Sequence, residues 1–227
     1  CAFPDGVPSR ILKEGATQIT PILTYLFNRT LEDDEIPCEW KLANVFALHK
    51  QGPRDVVANY RPISLTCVCC KIMEHIMCSN MCRFLELHNI LTPRQHGFRA
   101  GFSCETQLVQ AVDDWARSLD LGKQTDVVVF DFSKAFDSVP HQRLLAKLNH
   151  YGIRGKNLQW LSSFLLDRKQ RVVLNGSNSS WSPVISGVPH RARFSAHFSS
   201  SCILMILLTM LHHRLGYLQM IVYCTAK

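Results

Sequence analysis

A hydrophobic run that ends on a carboxylate is the part of this sequence best suited to chemistry. The run consists of Val127, Val128, Val129 and Phe130, and Asp131 follows it directly. Consecutive β-branched residues predict a buried strand. A carboxylate at the end of such a strand can bind a divalent cation, since Mg²⁺ prefers carboxylate oxygens and water. The same position also fits a structural role, in which Asp131 caps the next turn.

The elements that position this carboxylate follow from hydrophobic periodicity. Helical spacing of apolar residues predicts helices over 9–28, 66–88, 103–121, 142–151 and 157–166. Ser103 has the side chain of an N-cap, because its hydroxyl can accept a backbone N–H from the first turn. Alternating or β-branched residues predict strands over 40–49, 171–174 and 181–185, the last two on either side of a turn at 175–178.

Composition narrows the class of protein. A chain of 227 residues with 47% hydrophobic residues can form one large domain or two lobes. Its net charge of +7 suits a nucleic-acid partner. The longest apolar run, 202–211, is about half the ~18–20 residues that span a bilayer, and we see no secretory signal. We therefore expect an intracellular protein, cytoplasmic or nuclear, and, since no Met begins the sequence, a fragment.

The cysteines admit two interpretations. With no signal sequence, the ten cysteines predict reduced thiols. Five of them cluster around a histidine and could bind a metal, but they lie on an apolar helical stretch without the paired spacing of structural zinc sites. Small core residues are the preferred interpretation for this cluster, which comprises Cys67, Cys69, Cys70, Cys78 and Cys82, with His75.

Five segments in the same order resemble one known family. They are the paired stretches 40–50 and 59–65, the QHGFRAGFS stretch at 95–103, the run 127–141, the stretch 168–173 and the SGVP stretch at 186–189. Each is weak alone, but together, over roughly residues 8 to 189, they resemble the reverse transcriptases of LINE-type (non-LTR) retrotransposons, nearest the jockey and CR1 types.

The resemblance implies a fold, a reaction and partners. The fold is α+β, the fingers and partial palm of a right-hand polymerase, with fingers over 1–120 and palm over 121–189. The reaction is RNA-directed DNA synthesis by two-metal nucleotidyl transfer with Mg²⁺. The partners are an RNA template, a DNA primer and deoxynucleoside triphosphates, with no membrane; the oligomeric state stays open.

In the palm, the resemblance assigns Asp131 as catalytic metal ligand and Phe136 as the steric gate that excludes a ribose 2′-hydroxyl. Core packing is the simpler interpretation of Phe136, and both roles can hold. Asp137 matches no metal ligand, so we interpret it as structural.

In the fingers, the resemblance assigns Lys50 and Arg61 to the incoming triphosphate, because a cation can pair with phosphate. A solvated surface charge is the alternative for each. Gly97, Phe98 and Arg99 are assigned to the template side, Gly97 for its backbone freedom and Arg99 for a phosphate contact.

The resemblance breaks after Pro189. The family continues with Gln-Gly and later with a hairpin that carries two aspartates, whereas no Asp or Glu follows Asp167 here. Shifted by one base, codons compatible with 218–227 read FADDCLLYRK, and codons for 189–208 are compatible with PQGTVLGPLLFLLYINDIA. We therefore expect 190–227 to be an out-of-frame tail and the chain to be inactive as written. The alternatives are a non-catalytic nucleic-acid-binding remnant and a pseudogene product.

Overall fold

The computed structural model describes residues 3–97, 99–130, 137–174, 176–188 and 221–222. These residues form a mixed helix-and-sheet structure. The α-helices are α1 (Ser9–Glu14), α2 (Ala16–Glu32), α3 (Val68–Leu87), α4 (Cys104–Asp120), α5 (His141–His150) and α6 (Gly155–Leu165). The strands are β1 (Leu42–His49), β2 (Tyr60–Thr66), β3 (Val129–Phe130), β4 (Lys169–Leu174), β5 (Ser177–Asn178), β6 (Ser182–Pro183) and β7 (Ile221–Val222), and short 3₁₀ helices cover Cys38–Lys41 and Val57–Asn59.

The hydrophobic core lies among α2, α3, α5 and α6. Residues of α3 are buried at helical spacing, and Trp160 and Phe164 of α6 stack at 5.2 Å. The single helix predicted over 9–28 is broken at Gly15. A Cβ there would lie 2.9 Å from Cδ1 of Ile19 and 3.2 Å from the carbonyl oxygen of Ile11, so any larger residue would have to displace the Ile19 side chain and shift the junction of α1 and α2 slightly.

The main sheet has the strand order β2–β1–β4–β5, and β6 also pairs with β4. β1 is antiparallel to β2 and parallel to β4. This sheet joins segments from both sides of residue 120, where we divided predicted fingers from predicted palm. The division itself stays a prediction, but a fingers-like unit built on this sheet would include β4 to β6.

The buried strand predicted over 127–131 is wrong in part. Only Val129–Phe130 forms a strand, which pairs in parallel with Ile221–Val222. Val127 and Val128 precede the strand and are 45% and 44% exposed. Strand β7 reaches only two residues, so no neighbouring strand extends over these two valines in the described part of the chain. Asp131 and Phe136 lie outside the described residues.

The cysteine cluster is part of the core, as the preferred interpretation predicted. Cys67, Cys70 and Cys78 are buried. Burial raises the pKa of the Cys67 thiol to about 12, so it stays protonated and a poor metal ligand. Cys82 is disulfide-bonded, so the prediction of reduced thiols is wrong at that position. Among the described residues, no group of three or more His, Cys, Asp or Glu is arranged to hold a metal ion.

The length and apolar character of the described helices bear on membrane insertion. None of the described helices combines the length and the apolar character that a bilayer-spanning segment requires.

Ser103 caps α4, as predicted. Its Oγ accepts the Thr106 N–H at 3.2 Å, and the Thr106 Oγ1 accepts the Ser103 N–H at 2.9 Å, which completes a capping box. We predict that Ser103→Ala lowers the free energy of unfolding by about 1 kcal/mol, since the Thr106 N–H loses its acceptor while the N–H of residue 103 keeps the Thr106 Oγ1. Urea denaturation of the variant measures the change. Ser180→Ala, at an exposed loop position, is the control, and an equal loss in both variants would contradict the capping role.

Candidate functional site

The hairpin of β1 and β2 brings Lys50 and Arg61 to one face of the sheet. Leu48 pairs with Arg61, and the Lys50 N–H donates to the Asn59 carbonyl at 2.8 Å, which continues the ladder. Alternate residues of a strand share a face, so Lys50 and Leu48 point to the same side as Arg61. Diagonal neighbours of this kind lie about 7–8 Å apart. Lys50 is exposed and Arg61 is half-buried, so both can reach an anion above this face.

The loop that joins β1 to β2 is held in shape by its own side chains. The Asn59 amide donates to the Pro53 carbonyl at 2.8 Å, and the Tyr60 hydroxyl donates to the Arg54 carbonyl at 2.7 Å. Gly52 has a φ of +82°, a conformation that favours glycine. These bonds fix the end of the hairpin, and with it the position of Lys50.

Arg99 is already engaged within the protein. Its guanidinium donates to both oxygens of Glu86 at 2.8 and 2.7 Å, and to the carbonyls of Thr92 and Gln95 at 2.8 and 3.2 Å. The side chain is 9% exposed and lies over the Phe102 ring at 4.4 Å. Arg99 therefore ties the loop that follows α3 to the end of that helix. A phosphate contact, as predicted from the sequence, would compete with these bonds.

The other residues of that stretch have different outcomes. Gly97 has no positive φ, and no described atom lies within 4 Å of where its Cβ would stand, so the structure gives no conformational reason for glycine there. Phe98 lies outside the described residues. The sequence pattern did not single out His96, which is buried and bonds Thr106 Oγ1 and Gln110 Oε1, both at 2.8 Å. His96 links the loop to α4, and only its place inside the QHGFR stretch hinted at a role.

Two segments of the resemblance, 137–141 and 186–188, lie side by side. The Ser186 hydroxyl donates to the Asp137 carbonyl at 3.0 Å, and the Gly187 N–H donates to the Val139 carbonyl at 2.9 Å. His141 Nε2 donates to the Gly187 carbonyl at 2.7 Å. These bonds join the chain just after the predicted steric gate to the start of the SGVP stretch, although the two are 46 residues apart at the His141–Gly187 contact.

The predicted catalytic residues cannot be placed relative to the others, because Asp131 and Phe136 lie outside the described residues. The prediction that Asp131 binds Mg²⁺ is therefore not tested by the described residues. Asp137 is exposed, and only its backbone carbonyl takes part in the bonds between the two segments.

Comparison with known proteins identifies what this chain is similar to. Residues 48–224 match the family described as "Reverse transcriptase (RNA-dependent DNA polymerase)". The chain is 31% identical over 187 residues to the RNA-directed DNA polymerase from mobile element jockey of Drosophila melanogaster. It is 29% identical over 192 residues to the probable RNA-directed DNA polymerase from transposon BS of the same species. Each alignment covers 82% of this chain and 20% of the relative, so the chain spans about a fifth of these proteins.

Proposed function

Because the chain belongs to the reverse transcriptase (RNA-dependent DNA polymerase) family, in its LINE-type, non-LTR branch, we propose that it is the fingers and partial palm of a retrotransposon polymerase. Its partners are an RNA template, a DNA primer and deoxynucleoside triphosphates inside the cell. The observation that carries this proposal beyond the family is the register of β1 and β2, which puts Lys50 and Arg61 on one face.

In this proposal, Lys50 and Arg61 bind the triphosphate. Charge-assisted hydrogen bonds from ammonium and guanidinium groups to phosphate are stronger than neutral ones. The loop 95–103 borders the template side, and Arg99 acts there as a positioning residue, because its guanidinium holds the loop against α3.

The triphosphate assignment is tested by nucleotide affinity. We predict that Lys50→Ala and Arg61→Ala each raise the Kd for a deoxynucleoside triphosphate about tenfold, the loss of roughly one charge-assisted bond. Equilibrium dialysis with labelled nucleotide and the 227-residue chain measures the change. Lys156→Ala, which removes an exposed cation on α6, is the control. Affinity that falls equally in all three variants would refute a specific triphosphate site.

The metal site is incomplete in the chain as written. Two-ion phosphoryl transfer needs several converging carboxylates. Asp131 matches the first of them, Mg²⁺ is the ion that carboxylate oxygens suit, and no Asp or Glu follows Asp167. A single carboxylate does not hold two ions, so we propose that this chain is catalytically inactive.

A shift of the reading frame after Pro189 accounts for the missing carboxylates. The stretch 190–227 has four basic residues, four histidines and no acid. Four of the seven excess positive charges therefore belong to this tail. The genomic DNA around the Pro189 codon tests the proposal directly. A one-base error there would mean that the correct sequence encodes the missing carboxylates. An uninterrupted reading frame would refute the shift.

A second candidate function is a nucleic-acid-binding remnant without catalysis. The net charge of +7, with no acidic residue after Asp167, favours it, since cations bind the phosphate backbone. A pseudogene product that is never translated is the remaining alternative. Peptides from 190–227 in cell extracts would support the remnant and exclude the untranslated pseudogene.

A further inference from the structure

The face of the sheet that carries Lys50 and Arg61 carries two more cations. β1 pairs in parallel with β4, so Leu42 lies beside Lys169 and Asn44 lies beside Arg171. Leu42, Asn44, Leu48 and Lys50 are alternate residues of one strand or its extension, and their partners share their side of the sheet. Trp181 directly precedes β6, which pairs with β4, and its ring lies against the Arg171 guanidinium. We call this set, Lys50, Arg61, Lys169, Arg171 and Trp181, the basic face.

Arg171 is held in a defined position on the basic face. Its Nε donates to Asn44 Oδ1 at 2.9 Å, and its guanidinium carbon lies 4.5 Å from the centre of the Trp181 ring. Asn44 is only 4% exposed, so a buried amide orients a half-buried cation. Within the described residues, no hydrogen bond occupies the two terminal nitrogens of Arg171. These nitrogens can therefore donate to a ligand, while Trp181, at 38% exposed, presents apolar ring surface.

We propose that the basic face contacts a single-stranded nucleic acid, with phosphate on Arg171 and Lys169 and a base on Trp181. Asn44 is the positioning residue for Arg171. The inference deepens the proposed function and rests on it, because it adds contact residues to a nucleic-acid partner. Cations supply affinity for the phosphate backbone, and an exposed aromatic ring supplies stacking for any base.

The length of the basic face leaves room for a strand on Arg171 and Lys169 beside the triphosphate that Lys50 and Arg61 bind in the proposed function. Arg171 lies beside Asn44 and Arg61 lies opposite Leu48, so the two cations are separated by four residues of β1, about 13 Å along the strand. Each strand of a DNA duplex carries one charge per ~3.4 Å of helix axis, and an extended single strand spaces its phosphates further apart, so the face spans more than one phosphate. An acidic peptide would use the same cations but would gain less from the exposed indole.

The test measures binding of a fluorescein-labelled twelve-nucleotide oligouridylate to the 227-residue chain by anisotropy over a range of salt concentrations. Arg171→Ala and Trp181→Ala should each weaken binding about tenfold. The slope of log affinity against log salt should become shallower by about one for Arg171→Ala and stay unchanged for Trp181→Ala. The matched control, Arg143→Ala, removes an exposed arginine on α5 and should change the affinity less than twofold.

Two variants test the positioning role of Asn44. Asn44→Ala should weaken binding several-fold although Asn44 does not touch the ligand, and Arg171→Ala should add little in that background. Asn44→Asp keeps an acceptor for Arg171 but cancels its charge, so the fold should persist while affinity drops as in Arg171→Ala. Circular dichroism confirms folding of each variant. Full affinity in Asn44→Asp would overturn the role of Arg171.

The outcomes separate this inference from the proposed function. If the oligouridylate binds but Arg171→Ala and Trp181→Ala behave like Arg143→Ala, the basic face is wrong and the family assignment stands. If no oligonucleotide binds at all, the nucleic-acid partner in the proposed function fails together with the inference. If oligoglutamate competes as well as unlabelled oligouridylate, charge alone explains binding and the single-stranded nucleic-acid contact is overturned.

Discussion

The 227-residue chain as written should not extend a DNA primer on an RNA template with either Mg²⁺ or Mn²⁺. Two ions must hold the attacking 3′-hydroxyl and the leaving pyrophosphate, and converging carboxylates must hold the ions. Losing those ligands removes stabilisation worth several kcal/mol at each end of the transferred group. Since every 1.36 kcal/mol is a factor of ten, we expect incorporation to fall by at least about 10⁴ and below detection.

The matching positive experiment restores the frame. A protein in which residues from 190 onward are replaced by the shifted translation, extended through a thumb from a relative, should incorporate deoxynucleotides. In that protein, Asp131→Ala should abolish incorporation, and Phe136→Ala should let ribonucleotides compete. Asp137→Ala is the matched control, because the described bond at Asp137 uses its carbonyl and not its carboxylate. Robust synthesis by the original chain would show that the ligand-count argument is wrong.

The helices could be predicted because their signals are local. Apolar spacing placed four of the predicted helices within two residues of α3 to α6, and the side-chain chemistry of Ser103 predicted its cap. The break at Gly15 was missed because it depends on the contact with Ile19, a packing property that periodicity does not encode. Val127 and Val128 were misjudged because β-branched residues favour strands only where a neighbouring strand covers them.

The candidate site was harder to predict because it depends on pairing between distant segments. The parallel pairing of β1 with β4 joins residues more than 120 positions apart, so the sequence could not show that Arg171 shares a face with Lys50. Arg99 was assigned a phosphate because Glu86, its actual partner, lies 13 residues away on another element. The sequence could therefore show which side chains are able to bind a ligand. Which of them face a ligand and which bond to the protein itself depends on the strand register and the loop geometry.

Two buried charged residues, Arg168 and Glu74, lie where the helical core meets the main sheet. Arg168, the residue before β4, is 3% exposed, and Glu74 of α3 is 7% exposed. Burial lowers the pKa of Arg168, and the charge of Glu74 opposes that shift. Arg168 also donates from Nη1 to the Phe164 carbonyl at 3.2 Å and lies 4.4 Å over the Phe164 ring. Its second terminal nitrogen, Nη2, has no hydrogen-bond partner among the described residues, so the cation depends on Glu74 for compensation.

Glu74→Gln should lower the free energy of unfolding by about 1–3 kcal/mol, because it removes the negative charge that offsets the burial of the Arg168 cation. Urea denaturation followed by circular dichroism measures the loss. The control is Glu14→Gln, which breaks the exposed pair with Arg10 at 2.6 Å and should cost no more than about 0.5 kcal/mol, since solvent screens it.

The double variant Glu74→Leu with Arg168→Met decides whether charge is the cause. Apolar side chains of similar size need no compensation, so this variant should recover most of the stability that Glu74→Gln loses. A double variant as unstable as Glu74→Gln would mean that packing, and not the unpaired charge, controls the stability of this corner. Recovery would show that electrostatic compensation of Arg168 by Glu74 stabilises the corner where α6 meets β4, the strand that also carries Arg171.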